Sequence, residues 1–166
     1  MTHRSKVLAL ALAMTGLATA TPALAQAQAQ PQAPKPVQVS REAAPAIQKM
    51  DAAVKAKDFS NFPALVAEAT AKAKTVDDRY AIASLQLRAA QAQNDNAGMM
   101  AAVEAMLATG RVPAAEANRL RFSVAQLRYQ AKQFDQAAAG FEQVIAAEPG
   151  NLDALVLLAE TRNAQN

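Results

Sequence analysis

Few side chains in this 166-residue chain have the chemistry of catalysis. His3 is the only histidine, and there is no cysteine. His3 sits beside Arg4 and Lys6, ahead of the apolar stretch Val7–Ala13. A basic start, a short apolar run and the small-x-small triplet Ala23-Leu24-Ala25 make a cleavable secretory signal over residues 1–25, with Ala23 and Ala25 fitting the cleavage positions. The apolar run is too short to span a bilayer, which takes ~20 residues as a helix. Cleavage removes the one imidazole, so the exported chain lacks the usual imidazole and thiol bases, nucleophiles and metal ligands.

The remaining candidates are carboxylates and glycines. Asp77-Asp78 is the only adjacent acidic pair, and its natural use is at a helix N-terminus. Gly98, Gly110, Gly140 and Gly150 stand too far apart to form a phosphate-binding loop. No cofactor, metal site or enzymatic activity is expected. Nucleic acid is not an expected partner either. The sequence pI of 9.4 is misleading, because removal of Arg4 and Lys6 leaves 15 Lys and Arg against 14 Asp and Glu. Without a cysteine to carry a lipid, the product is expected in the periplasm, or secreted, and not inserted in a membrane.

Elements that would position a binding site are easier to read. Residues 26–40, QAQAQPQAPKPVQVS, form a Gln/Ala/Pro-rich segment expected to be a disordered tether. From residue 41 onward the alternation typical of strands is missing and helical periodicity is continuous. Seven helices are expected, over about 41–57, 61–74, 77–93, 96–109, 113–131, 134–147 and 152–163. Asn61 and Pro63 open the second, Asp77 and Asp78 the third, and Gly110 closes the fourth. Breaks between helix pairs fall near Asp77, Pro113 and Asn151, and turns within pairs near Phe59, Asn96 and Phe134. Their spacing of 36–38 residues is the mark of stacked helical hairpins. The fold class is therefore all-α, a domain over 41–166 of antiparallel helical hairpins in an α-solenoid of about three and a half repeats. A nonrepetitive helical bundle is the alternative.

The fifth helix carries two apolar stripes: Leu120, Val124, Leu127 and Ala131 on one side, and Phe122, Ala125 and Tyr129 on the other. Two stripes imply neighbours on two sides. The sixth has one arc, with Asp135, Gln136, Glu142 and Gln143 turned away from it. Met99, Met100 and Met106 are expected to fill core space. Arg121, Arg128 and Lys132 are expected to form a solvated basic strip. The last helix has Leu152, Leu155, Val156 and Ala159 on its expected packing side and Leu157 and Leu158 elsewhere. That surplus points to self-association through this helix, or to a longer array of which the chain is one part.

Residues 116–151, EANRLRFSVAQLRYQAKQFDQAAAGFEQVIAAEPGN, resemble a tetratricopeptide repeat. Val124 and Ala125 match its large-small pair, Phe134 its turn aromatic, Ala137 and Phe141 its second-helix small and aromatic places, and Pro149 its closing proline. Arg121 and Arg128 replace the usual first-helix aromatics, and Val144 replaces a commoner alanine. Residues 77–113 match more loosely, and 41–76 more loosely still. The resemblance implies a nonenzymatic adaptor or scaffold that binds a protein or peptide in a groove lined by first helices. In the best repeat those groove positions are Arg119, Phe122, Gln126, Tyr129 and Gln130. A purely structural part of a longer envelope protein, with no binding site of its own, is the second expectation.

The cleavage positions yield a direct expectation. N-terminal sequencing of the protein recovered from the periplasm should begin at Gln26; an N-terminus at Met1 would rule out the signal.

Overall fold

The computed structural model describes residues 36–165. The expected signal, its cleavage positions and residues 26–35 of the tether lie outside them. Seven helices and no strands occur among the described residues: α1 (Ala44–Ala56), α2 (Phe62–Lys72), α3 (Val76–Gln93), α4 (Asn96–Ala108), α5 (Ala114–Gln130), α6 (Phe134–Ala147) and α7 (Leu152–Ala164). The all-α class and the element order expected from periodicity hold. No helix among the described residues is long and apolar enough to cross a membrane.

The helices associate in chain order. α1 packs on α2, α3 on α4, α5 on α6, and α7 on α6 and α5. The three turns within pairs share one geometry. Lys57, Asn94 and Lys132 have φ of 54°, 54° and 58°. After each, an N–H reaches back to a helix carbonyl: Asp58 to Ala53, Asp95 to Ala90, and Gln133 to Arg128. This left-handed closure supplies partners for carbonyls that the helix end would leave bare. It recurs at intervals of 37 and 38 residues, the period read from the sequence, so the chain is helical-repeat-like at the level of its backbone hydrogen bonds.

Packing depends on small side chains. Ala125, Ala137 and Ala154 are fully buried with Phe141 and Val144 where α5, α6 and α7 meet. At Gly140 in α6, an added Cβ would stand 2.8 Å from the Ala125 Cβ of α5. Phe122 closes on Phe141 with ring centroids 5.9 Å apart, and Tyr129 on Phe134 at 5.7 Å. A second core joins Ala46, Ile47 and Met50 of α1 to Phe62 and Ala69 of α2 and to Ile82, Leu85 and Ala89 of α3. The two cores are separate. α1 approaches α3, and α5 approaches α7, but α3 and α5 do not approach each other. Among the described helices, the contact between the halves is that of α4 with α5.

Several expectations change. Residues 36–40, placed in the tether, lie against the helices instead. Val39 packs on the core of α1, α2 and α3. The Gln38 N–H donates to Asp77 Oδ2 at 2.8 Å and the Ser40 N–H to Asp78 Oδ1 at 2.7 Å. Helix α3 is capped by Thr75, whose hydroxyl accepts from the Asp78 N–H at 3.0 Å while Asp78 Oδ2 accepts from the Thr75 N–H at 2.9 Å. Asp78 is thus the third helical residue of a capping box, and Asp77 instead meets Arg111 Nε at 3.1 Å. Asn61 occupies the cap position of α2, but its side chain caps nothing. Asp95 and Asn151 cap α4 and α7 through the N–H groups of Gly98 and Ala154.

The largest reversal is in α7. Ala154 and Thr161 are its buried residues, and Leu157 and Leu158 pack on the core where α5, α6 and α7 meet. Leu152, Leu155 and Val156, placed on the packing side from periodicity, are 72 %, 41 % and 56 % exposed. A helix that is apolar on both sides does not reveal which side its neighbours occupy; here the small Ala154 lets α7 seat closely, and the bulkier Leu152 side remains outside.

Asp78 is fully buried. Burial alone would raise its pKa, but the N–H groups of Ser40, Thr75 and Lys74 and the Ser40 hydroxyl outweigh that and hold the carboxyl well below the usual range. The folded value being depressed, its contribution is complete above the ordinary 3.8 and disappears as pH falls below it. Asp78→Asn should cost about 1–3 kcal/mol in urea denaturation at pH 7, and the gap from the parent should narrow as pH drops below 3.8. A constant gap would refute the charge assignment. Gly140→Ala should also destabilise, by about 1–2 kcal/mol, although alanine is the better helix former, because overpacking costs more than propensity returns.

Candidate functional site

The first helices of successive pairs are α1, α3, α5 and α7. Between α1 and α3 lies an open groove of about 450 Å³. Ile47 and Leu85, both buried, form its floor. Gln48 and Asp51 of α1 and Tyr80, Ser84 and Arg88 of α3 form its polar rim. Tyr80, Ser84 and Arg88 follow the four-residue spacing that puts side chains in a line along one face. The Ser84 hydroxyl donates to the Tyr80 carbonyl at 2.8 Å, so it is held against its own helix. Val37, from the ordered segment before α1, stands at the groove edge and is 42 % exposed.

These residues sit one period upstream of the positions expected from residues 116–151. Ala81, Ser84 and Arg88 precede Arg119, Phe122 and Gln126 by 38 residues. In α5 itself the arrangement differs. Arg119 is exposed and shares a cleft of about 170 Å³ with Phe122. Phe122 and Tyr129 are half-buried, and their rings serve the α5–α6 interface against Phe141 and Phe134. Gln126 is half-buried, and Gln130 is exposed at the end of α5. So Arg119 and Phe122 come together, while Tyr129 belongs to the hairpin interior.

Sequence reasoning missed Asn118. It is 3 % exposed, and its Nδ2 donates to the Val144 carbonyl at 3.4 Å. Its Oδ1 is buried without a partner, beside the Arg119 cleft. An isolated Asn on a helix gives no sequence signal of this kind, because its acceptor lies 26 residues away.

The basic strip on α5 is also revised. Arg128 pairs with Glu104 of α4 and is 24 % exposed. Arg121, Arg128 and Glu104 border a cleft of about 260 Å³ where α4 faces α5 and α6. The pair therefore links the two halves of the chain. Met106 is buried and Met99 and Met100 half-buried, so they fill space as expected.

Electrostatically, the most perturbed group is Asp78, and its partners are backbone N–H groups that fix it as an anion at the α3 cap. Glu68 is lowered by Lys72 and Lys49, and Asp58 by Ser60. Asp58 is exposed and Glu68 half-buried, and each is satisfied by its neighbours. Among the described residues no group of three or more His, Cys, Asp or Glu is placed to hold a metal ion. The groove between α1 and α3 offers hydrogen-bond donors and acceptors above an apolar floor.

No family model matches the chain, and no curated protein matches it.

Proposed function

We propose that the protein is an exported, nonenzymatic helical-repeat protein of the tetratricopeptide type, which holds an extended protein or peptide segment against its first helices. The observation that carries this reading is the groove between α1 and α3. Its apolar floor suits alternate side chains of an extended segment, and its rim suits the segment's backbone. Tyr80 gives a flat, amphipathic contact and Arg88 a charged fork, the residue types that concentrate binding energy at interfaces. The recurrent turn geometry supports a repeat architecture, and the signal read over residues 1–25 supports delivery to the periplasm. No cofactor is required for this role.

One observation favours a second reading. The bare side of α7 is the kind of surface that a further helix covers in a repeat array. On that reading the chain is a structural N-terminal portion of a longer envelope protein.

Selection of displayed random peptides on the immobilised protein tests the first reading. Enriched peptides should bind with Kd values of about 1–100 µM. Tyr80→Ala and Arg88→Ala should each weaken binding by about tenfold. Gln136→Ala, on the exposed side of α6, should leave it unchanged. Failure to enrich any sequence, or equal binding by all three variants, would overturn the groove assignment.

A further inference from the structure

A second groove lies on the other side of the first half. α2 and α4 both pack on α3 but do not approach each other. Between them the surface of α3 forms a floor that includes buried Ile82, Ala83, Ala89 and Ala90. Two clefts of about 500 and 520 Å³ share Gln86 and Ala105, so they run end to end from Arg79 to Gln93. At 1.5 Å per residue that floor is about 21 Å long. Phe62 and Val66 wall it on the α2 side, and the exposed Ala101, Ala105 and Ala108 on the α4 side. Alanine walls let another helix approach closely.

The exposed side of α7 has the matching form. Leu152, Leu155, Val156 and Ala159 follow helical spacing and make an apolar ridge on a helix of 13 residues, about 20 Å long. The ridge cannot enter the groove of its own molecule, because α7 is seated on α6 and α5 while the groove belongs to α2, α3 and α4.

We propose that a second copy of this chain fills the groove: the ridge of α7 from one molecule lies between α2 and α4 of the next. Charge fits one direction. The groove carries Arg79 at one end and Asp95 at the other. α7 carries Asp153 in its first turn and Arg162, which also pairs with Glu142, in its last. With α7 parallel to the underlying α3, each end meets its opposite sign. Pairing of two α7 ridges about a two-fold axis is disfavoured, since Asp153 and Glu160 flank the ridge on one side and an antiparallel pair brings the two acidic flanks together. Because ridge and groove are different surfaces, the contact is head-to-tail and does not end at two copies; it closes into a ring or extends as a filament. This inference does not depend on the peptide groove between α1 and α3.

The absence of native cysteine makes the test specific. In the chain as its cell processes it, Val156→Cys combined with Ala105→Cys should yield disulfide-linked ladders beyond the dimer under mild oxidation. Mixing the two single variants should yield one linked pair, and neither single variant should link with itself. Light scattering of the parent should show its average mass rising at least about twofold between about 10 µM and about 1 mM, and Val156→Glu, at an exposed position, should abolish the rise while leaving the helical circular dichroism intact. A parent that stays monomeric throughout, or Val156→Cys alone linking as fast as the double variant, would overturn the proposal.

Discussion

The close approach of helix backbones through alanine and glycine is the constraint on which the structure rests. Of the 22 buried apolar residues among those described, 12 are alanine. Such a side chain buries little area, so no helix here gains much from a single neighbour. It does bring the next backbone near, and the few large side chains then fill what remains. Phe141 is fully buried because Gly140 and Ala125 bring α6 against α5, and Phe122 closes over it. Met50, Ile47 and Phe62 play the same part around Ala46 and Ala69 in the first half. Each core therefore takes helices from more than one pair: α1 and α2 with α3, and α5 and α6 with α7.

Against that apolar background one polar arrangement organises the first half. Asp78 binds the start of α3, the residues before it and the extended segment at Ser40 through the same carboxylate. Its neighbour Asp77 accepts from the Gln38 N–H and pairs with Arg111, whose guanidinium also donates to the Pro36 carbonyl at 3.3 Å. Two adjacent acids therefore join the incoming segment, α3 and the loop after α4.

Much of the fold was legible because punctuation and periodicity are local. Gly110 ends the α4 region with φ of 68°, Pro113 precedes α5, and Phe134 begins α6. The left-handed turns at Lys57, Asn94 and Lys132 repeat at the spacing of the sequence breaks. What was hidden depends on partners distant along the chain. The Thr75-x-x-Asp78 box is a sequence signal, but the attraction of acids to a helix N-terminus explained the same residues too readily. Nothing local tells that Arg128 finds Glu104, or that Ser40 finds Asp78 38 residues on. The apolar content of α7 was evident, yet its inner and outer sides were exchanged. The repeat motif matches best in α5, whereas the open groove with a polar rim lies between α1 and α3, where the motif matches loosely. There Ser84 stands 38 residues before Phe122, its hydroxyl held on the Tyr80 carbonyl.

The division into two cores has a mechanical consequence. Within each half, interlocked side chains fix the angle between successive helices. Between the halves, the helices that meet are α4 and α5, joined also by the Arg128–Glu104 pair and the loop around Gly110. A joint that lies outside both cores and is made by one pair of helices has the softest torsion. Twist imposed on this protein would accumulate at that joint first, turning one half against the other while both cores remain intact.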